Sequence, residues 1–308
     1  MITVLLASYN GAAFVAELLD SLLAQTQLPD RIVIHDDCST DETPQILRRY
    51  QGEHPGLIEV TLKTTNSGGS AANFMPMMIT ERDDYLMLCD QDDIWLPDKI
   101  ALTYAKMLEM EAERGQDCPI MVHTDLVVVD EDLHLLAGSF KANTFANYNR
   151  TRLRDQIIQN TATGCTVMYN RALAEELTQF PANMVMHDWW LSLVAAAFGQ
   201  IGHLDDQTIL YRQHTANQVG VTDMRTLRYK LKRALNPSGV RADIHKTYPQ
   251  AEDFRTIFAD RLTDEQADFL RAYCAIPTLS KFSRIITVIY LRVWKTGLSR
   301  NLAYLLFI

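Results

Sequence analysis

One alternation, running through the first 113 residues, constrains what this chain can fold into more than any other feature. Short β-rich apolar runs are each followed by a helical pattern: Ile2–Ala7 then Phe14–Gln25, Arg31–His35 then Glu42–Tyr50, Ile58–Leu62 then Ala71–Ile79, Tyr85–Leu88 then Pro97–Glu113. Such repetition predicts βαβ units and an α/β fold with a mostly parallel sheet flanked by helices. Open sheets of that class bind ligands beyond the carboxyl ends of their strands, so chemistry is expected in the loops after these runs.

The loop after the fourth run, Asp90-Gln91-Asp92-Asp93, places three carboxylates in four residues just before a helix start at Leu96-Pro97-Asp98. Like charges this close are costly unless a cation or hydrogen-bond donors offset them, and a hard divalent ion bridging a phosphate does so. The plain alternative is a solvated acidic turn. After the first run, Ala7-Ser8-Tyr9-Asn10-Gly11 leaves room for a ligand on whose base Tyr9 can stack, although Asn-Gly is equally a turn. In the second loop, Ser39, Thr40 or Asp41 can cap the next helix, which leaves Asp36 and Asp37 without a capping role. A carboxylate there can accept a hydrogen bond from the imide of uracil or thymine. In the third, the pair Gly68-Gly69 permits close backbone approach and offers helix-terminal N–H groups to a phosphate or sugar hydroxyl. Neither a P-loop Lys-Ser/Thr nor GxGxxG spacing is present, which argues against an ATPase or a dinucleotide oxidoreductase.

Farther on, the β-like runs Met121–His123, Leu126–Val129 and Thr163–Tyr169 are interrupted by the polar stretch Lys141–Asp155. Gly164-Cys165 reads as buried strand or as an acceptor contact. Met186-His187-Asp188-Trp189-Trp190 opens the helical pattern Leu191–Phe198, where Asp188 suits a helix N-cap and the tryptophans suit a core. Arg212 and His214 leave the run Gln207–Tyr211, and a cation with an imidazole can steady a departing diphosphate or complete a divalent metal shell.

ASYNG, DDCSTDET about thirty residues on, the Asn-Ser-Gly-Gly loop and LCDQDDIWLPDK, in that order, resemble the nucleotide-binding half of family 2 glycosyltransferases with the GT-A fold. The resemblance implies a nucleotide-sugar donor, UDP- or dTDP-linked, whose diphosphate is held by Mg²⁺ or Mn²⁺ at the Asp-x-Asp. Carried over, Asp37 is the base-reading carboxylate with Asp36 beside it. Asp92 is the main metal ligand, and Asp90 lies near the ribose or the metal. Ala7, Tyr9, Gly68, Gly69 and Gln91 belong to the donor site, His214 is a metal or diphosphate ligand, and Arg212 assists at the diphosphate. Asp188 matches the family's catalytic base, and His187 replaces the acid more often found there. Inverting transfer needs one such carboxylate to take the acceptor hydroxyl proton. YRQH together with HDWW resembles bacterial rhamnosyltransferase-type members, which implies dTDP-L-rhamnose as donor and a hydroxyl of a cell-surface polysaccharide or lipid-linked glycan as acceptor. On this reading residues 1–220 form the GT-A domain, with nucleotide-sugar binding to about residue 95 and the acceptor and catalytic half over 96–220, and 221–308 form a basic helical extension. A sugar-1-phosphate nucleotidyltransferase would be expected to show a Gly-rich, Arg/Lys-bearing loop after the first strand, which ASYNG lacks. A non-catalytic glycan-binding scaffold on the same fold is disfavoured by the intact carboxylates Asp90, Asp92 and Asp188.

Charge supports that division. Up to Gly220 the chain carries 14 basic and 30 acidic residues, whereas the remainder carries 15 and 8. In the remainder, Arg225, Arg228, Lys230, Lys232 and Arg233 make a basic stretch, helical patterns fall near Ala242–Asp260 and Asp264–Ala275, and the last pattern starts near Ser280. That last one is predicted as a helix with Lys281, Arg284, Arg292 and Lys295 on one stripe and Phe282, Ile286, Ile289, Val293 and Leu298 around the other side. Such a helix suits an anionic membrane surface, or a body or second protomer that covers its apolar side, so a homo-oligomer is an open expectation. No nucleic-acid module or interleaved stacking aromatics accompany these basic stretches, which argues against nucleic acid. The five cysteines are scattered without a CxxC pair, and the chain starts on an apolar run with no basic n-region and has no run long enough to span a bilayer. These features predict a reduced, cytoplasmic protein, peripheral at the inner face of the membrane if the basic helix docks there.

Overall fold

The computed structural model describes residues 1–144, 146–179, 181–214 and 236–308. The basic stretch Arg225–Arg233 and the expected division at Gly220 lie outside the described residues. The chain groups into two compact units. One comprises Met1–Phe140, Ala162–Thr178 and Phe198–Val221, and the other comprises Lys141–Thr161, Gln179–Ala197 and Thr222–Ile308.

The first unit is the α/β body. Strands β1 (Ile2–Ser8), β2 (Arg31–Asp36), β3 (Ile58–Leu62) and β4 (Tyr85–Asp90) alternate with helices α1 (Val15–Leu23), α2 (Thr43–Glu53) and α3 (Ser70–Thr80), as the alternation predicts. All four strands run parallel in the order β3-β2-β1-β4, because each helix must return the chain to the same end of the sheet. β1 and β4 are buried almost throughout, the near-continuous apolar reading of strands covered on both faces. Helix α1 buries Val15, Leu18, Leu19 and Leu22, one stripe of a 3.6-residue period.

Beyond β4 the sheet becomes mixed. β5 (Ile94–Trp95) and helix α4 (Lys99–Arg114) lead into β6 (Ile120–Val129), a single strand where the sequence suggests two short runs. Shifts in its pairing near Asp125 let it stay continuous. The apolar run at Thr163–Tyr169 is strand only at its end, β8 (Met168–Asn170). Thr166 and Val167 donate backward to Thr163 and Gly164, which winds Gly164–Thr166 into a 3₁₀ turn. β8 runs antiparallel between β4 and β6, and β9 (Gln200–Arg212) lies parallel to β6 and antiparallel to β5. The short β7 (Leu135–Ala137) pairs with β6.

The second unit is helical among its described residues. After the short α5 (Phe140–Thr144) and α6 (Leu153–Gln156), and with α7 (Arg171–Glu176) belonging to the α/β body, its main helix is α8 (His187–Phe198). Trp190 lies edge-on to Phe254 and stacked on Phe258, and Trp189 Nε1 donates to the Gln156 carbonyl at 2.6 Å, so both tryptophans serve the core. α9 (Pro237–His245) and α10 (Thr247–Ile257) replace one longer expected helix. At their junction Thr247 Oγ1 bonds the Ile244 carbonyl and the Tyr273 hydroxyl. α11 (Asp264–Ala275) starts where expected, on a Thr263–Gln266 capping box. The final pattern is two helices, α12 (Lys281–Leu291) and α13 (Leu298–Phe307), separated where Arg292 adopts a left-handed backbone.

Candidate active site

Register places three strand ends of the first unit side by side: Ser8 of β1 opposite Asp36 of β2, and Ala7 of β1 opposite Asp90 of β4. The loops predicted to carry chemistry therefore meet at one edge. Gln91 joins two of them, accepting from the Tyr9 amide at 2.8 Å and donating to the Tyr9 carbonyl at 2.9 Å. Gly11 makes room for this, since a Cβ there would lie 2.2 Å from Gln91 Oε1. The Tyr9 side chain stays half exposed.

Asp36 and Asp37 are both buried. Asp36 accepts from the Ser8 hydroxyl at 3.0 Å and from the Ser39 amide and hydroxyl at 2.9 and 2.6 Å, which folds its own loop. Asp37 accepts from the Ser67 amide and hydroxyl and lies 3.4 Å from Lys63 Nζ, which draws the glycine loop to the end of β2. Gly68 at φ 91° and Gly69 at φ 153° then open α3, both in a region that favours glycine. Asn73 Nδ2 ties that helix to the His35 carbonyl at 3.0 Å.

In the acidic loop, Asp92 Oδ2 meets His214 Nε2 at 2.8 Å, so residues 122 apart in sequence share one contact. The His214 ring stacks on Phe14 with centroids 4.9 Å apart, and the Arg212 guanidinium lies 4.7 Å from the same ring. Arg212 is buried. It donates to the Asp92 and Glu131 carbonyls and pairs with Glu17, so its guanidinium fastens the loop from behind. Asp93 points inward, and burial together with the neighbouring Asp92 and Asp90 pushes its carboxyl well above the usual carboxylate range.

Oxygens of Asp90 and Asp93 and the Cys165 sulfur lie within 4.8 Å of one another. Burial, with Asp93 and Asp90 nearby, pushes the Cys165 thiol well up, and a protonated thiol is a poor ligand for a hard cation. Of the expected metal ligands, Asp92 and His214 are brought together, whereas Asp90 groups with Asp93 and Cys165. Carboxylates crowded in this loop repel one another, and a hard divalent ion relieves such repulsion.

Three contributors escape sequence reading: Phe14, Glu17 and Lys99. Lys99 is fully buried with Nζ 4.5 Å from the Trp95 ring, has no hydrogen-bond acceptor among the described residues, and is lowered by burial to about 8. Its signal in the sequence is a lysine in the first turn of a helix, at the wrong end of the helix dipole. It makes sense as a buried cation beneath the acidic loop. Phe14 and Glu17 have no comparable signal.

In the second unit, α8 begins at His187, so Asp188 lies in its first turn rather than at the cap. The Asp188 carbonyl accepts from the Ser192 hydroxyl, which also reaches Asn160. His187 is buried, and burial holds its imidazole down at about 3.

The chain is 28% identical over 236 residues to the dTDP-rhamnosyl transferase RfbG of Shigella flexneri, covering 73% of this chain and 77% of that one. Its fold matches Staphylococcus aureus TarS 1-349, solved in complex with UDP-GlcNAc, with a TM-score of 0.56 at 18% identity over 99% of this chain and 89% of that one. It also matches the mannosyltransferase PcManGT of Pyrobaculum calidifontis, solved with GDP-Man and Mn²⁺, with a TM-score of 0.53 at 18% identity over 95% and 85% of the two chains. These structures share the GT-A architecture, and residues 3–178 match the model of glycosyl transferase family 2. Matched over more than half of its length, the chain is a member of glycosyl transferase family 2 on a GT-A fold.

Proposed function

We propose that this protein is an inverting, metal-dependent hexosyltransferase that moves a sugar from a nucleoside diphosphate to a hydroxyl of a cell-surface polysaccharide or lipid-linked glycan. The donor we assign first is dTDP-L-rhamnose, a reading supported by the similarity to the Shigella rhamnosyl transferase. The observation that carries the proposal is the contact between Asp92 and His214 in the loop that follows β4, at the edge where β1, β2 and β4 end. Mg²⁺ or Mn²⁺, held by Asp90, Asp92 and His214, would neutralise charge on the departing diphosphate.

The residues of the chain do the remainder. Asp37, Asp36, Ala7, Tyr9 and Gln91 receive the nucleoside, Gly68 and Gly69 admit backbone N–H groups to phosphate or sugar, and Arg212 holds the acidic loop against collapse. Asp188 takes the proton of the acceptor hydroxyl as that oxygen bonds to the anomeric carbon. The bond from that carbon to the diphosphate oxygen breaks, and the nucleoside diphosphate leaves. Such an enzyme works in the cytoplasm, where nucleotide sugars are made. Asp188→Asn is expected to abolish transfer while leaving nucleoside-diphosphate binding within about twofold, since it removes only the proton acceptor. Full activity in that variant would overturn the mechanism.

A further inference from the structure

Helices α12 and α13 turn large apolar side chains outward. Phe282 is 74% exposed and Tyr290 81%, and Ile286 and Ile289 lie on the same side of α12. On α13, Leu298, Leu302 and Leu306 are all more than 60% exposed at a spacing of four. The opposite sides are inward, with Val288, Leu291 and Tyr304 buried. A solvated helix normally shows the reverse pattern, so these stripes are made to meet something apolar.

The two helices are linked at both ends. The connection Arg292–Gly297 joins one end of the helices, and at the other end Lys281 Nζ donates to the Leu306 and Ile308 carbonyls at 2.7 and 2.9 Å. The helices are therefore antiparallel, with the Phe282 end beside the Leu306 end and the Ile289 end beside Leu298. Charge selects the occupant. Beyond Asp268 the chain has no acidic residue, and residues 276–308 carry Lys281, Arg284, Arg292, Lys295 and Arg300. Arg284 donates to the Pro277 and Leu279 carbonyls and Arg300 to the Thr144 carbonyl, so Lys281 and Arg292 are the exposed cations. A second copy would bring these against themselves, whereas an anionic bilayer complements them. Among the described residues no helix is long and apolar enough to cross a membrane, so the contact is with a surface.

We propose that the apolar faces of α12 and α13 dock the protein on an anionic lipid bilayer, with Phe282, Ile286, Ile289, Tyr290, Leu298, Leu302 and Leu306 entering the interface. This goes beyond the transferase reading and does not depend on it. The test is co-sedimentation of the full chain with vesicles of phosphatidylcholine alone and of an equal mixture with phosphatidylglycerol, without donor, metal or acceptor. Binding should favour the mixture roughly tenfold or more and weaken as salt rises. Phe282→Ser combined with Leu302→Ser should lower it by a similar factor with an unchanged circular dichroism spectrum, and Arg292→Gln should reduce the preference for the anionic vesicles. Equal sedimentation of wild type and the paired variant would overturn the proposal. A dimer in light scattering that the paired variant converts to monomer would also overturn it, by giving the face to a second copy.

Discussion

The contact between Asp92 and His214 depends on a residue that neither touches by covalent chemistry. Phe14 is the shelf on which both the His214 ring and the Arg212 guanidinium rest. Stacking and cation–π contacts are each worth about 1 kcal/mol. Phe14→Ala is therefore expected to raise the donor KM by roughly tenfold at limiting Mn²⁺, with restoration by Phe14→Tyr and by excess metal. Steady-state kinetics over a metal titration would check this. His187 predicts a pH effect of known sign. Its imidazole is held at about 3 in the fold against an ordinary 6.5, so below pH 6.5 the unfolded chain binds a proton that the folded chain refuses. Stability is lost as pH falls through that window, by about 2 kcal/mol at pH 5. His187→Gln should lose less melting temperature between pH 7 and pH 5 than the wild type does. At this scale the sequence is only partly legible. Asp92 and His214 stand out as types able to bind metal, but a phenylalanine at the start of an amphipathic helix looks like any other core residue.

At the scale of elements, the alternation of apolar runs and helical patterns identified β1 to β4 and α1 to α4 to within a few residues, because period-2 and period-3.6 burial leave different marks. Where both faces of an element are buried the mark fades. β6 reads as two runs, and Gly164–Thr166 is apolar without being strand. The junction between α9 and α10 is a tertiary effect, since Thr247 bonds Tyr273 across 26 residues. Loops are tied by bonds no periodicity reveals, and the link between Tyr9 and Gln91 is one of them. Gly11→Ala would push Gln91 aside and lose both of its hydrogen bonds, at about 1–2 kcal/mol by chemical denaturation. Gln91→Ala should cost a similar amount. The double variant should be no worse than either, because both act on one link.

Across the whole molecule, sequence showed the acidic and basic halves but not how the chain is shared between units. Segments 141–161 and 179–197 join the helical unit although they precede Gly220, since their side chains, Trp190 among them, find apolar partners such as Phe254 and Phe258. The nucleotide-sugar reading makes a prediction at this scale, because any ligand that prefers the folded state raises the melting temperature. dTDP or UDP with Mn²⁺ should stabilise the wild type by several degrees, as read by thermal shift. Asp92→Ala should remove most of the metal-dependent part.

The pairing of Asp92 with His214 also sets an order of events during synthesis. A chain leaving the ribosome exposes Asp90, Asp92 and Asp93 long before residues 212 to 214 emerge to partner them, and β4 waits for Met168–Asn170 to cover its open edge. Over that interval the acidic loop repels itself, and the first four strands form a sheet with one edge unprotected. The stretch up to residue 95 is therefore not a module that can be excised. A fragment ending near residue 95 should aggregate, and the site matures only when the last strand of the sheet arrives.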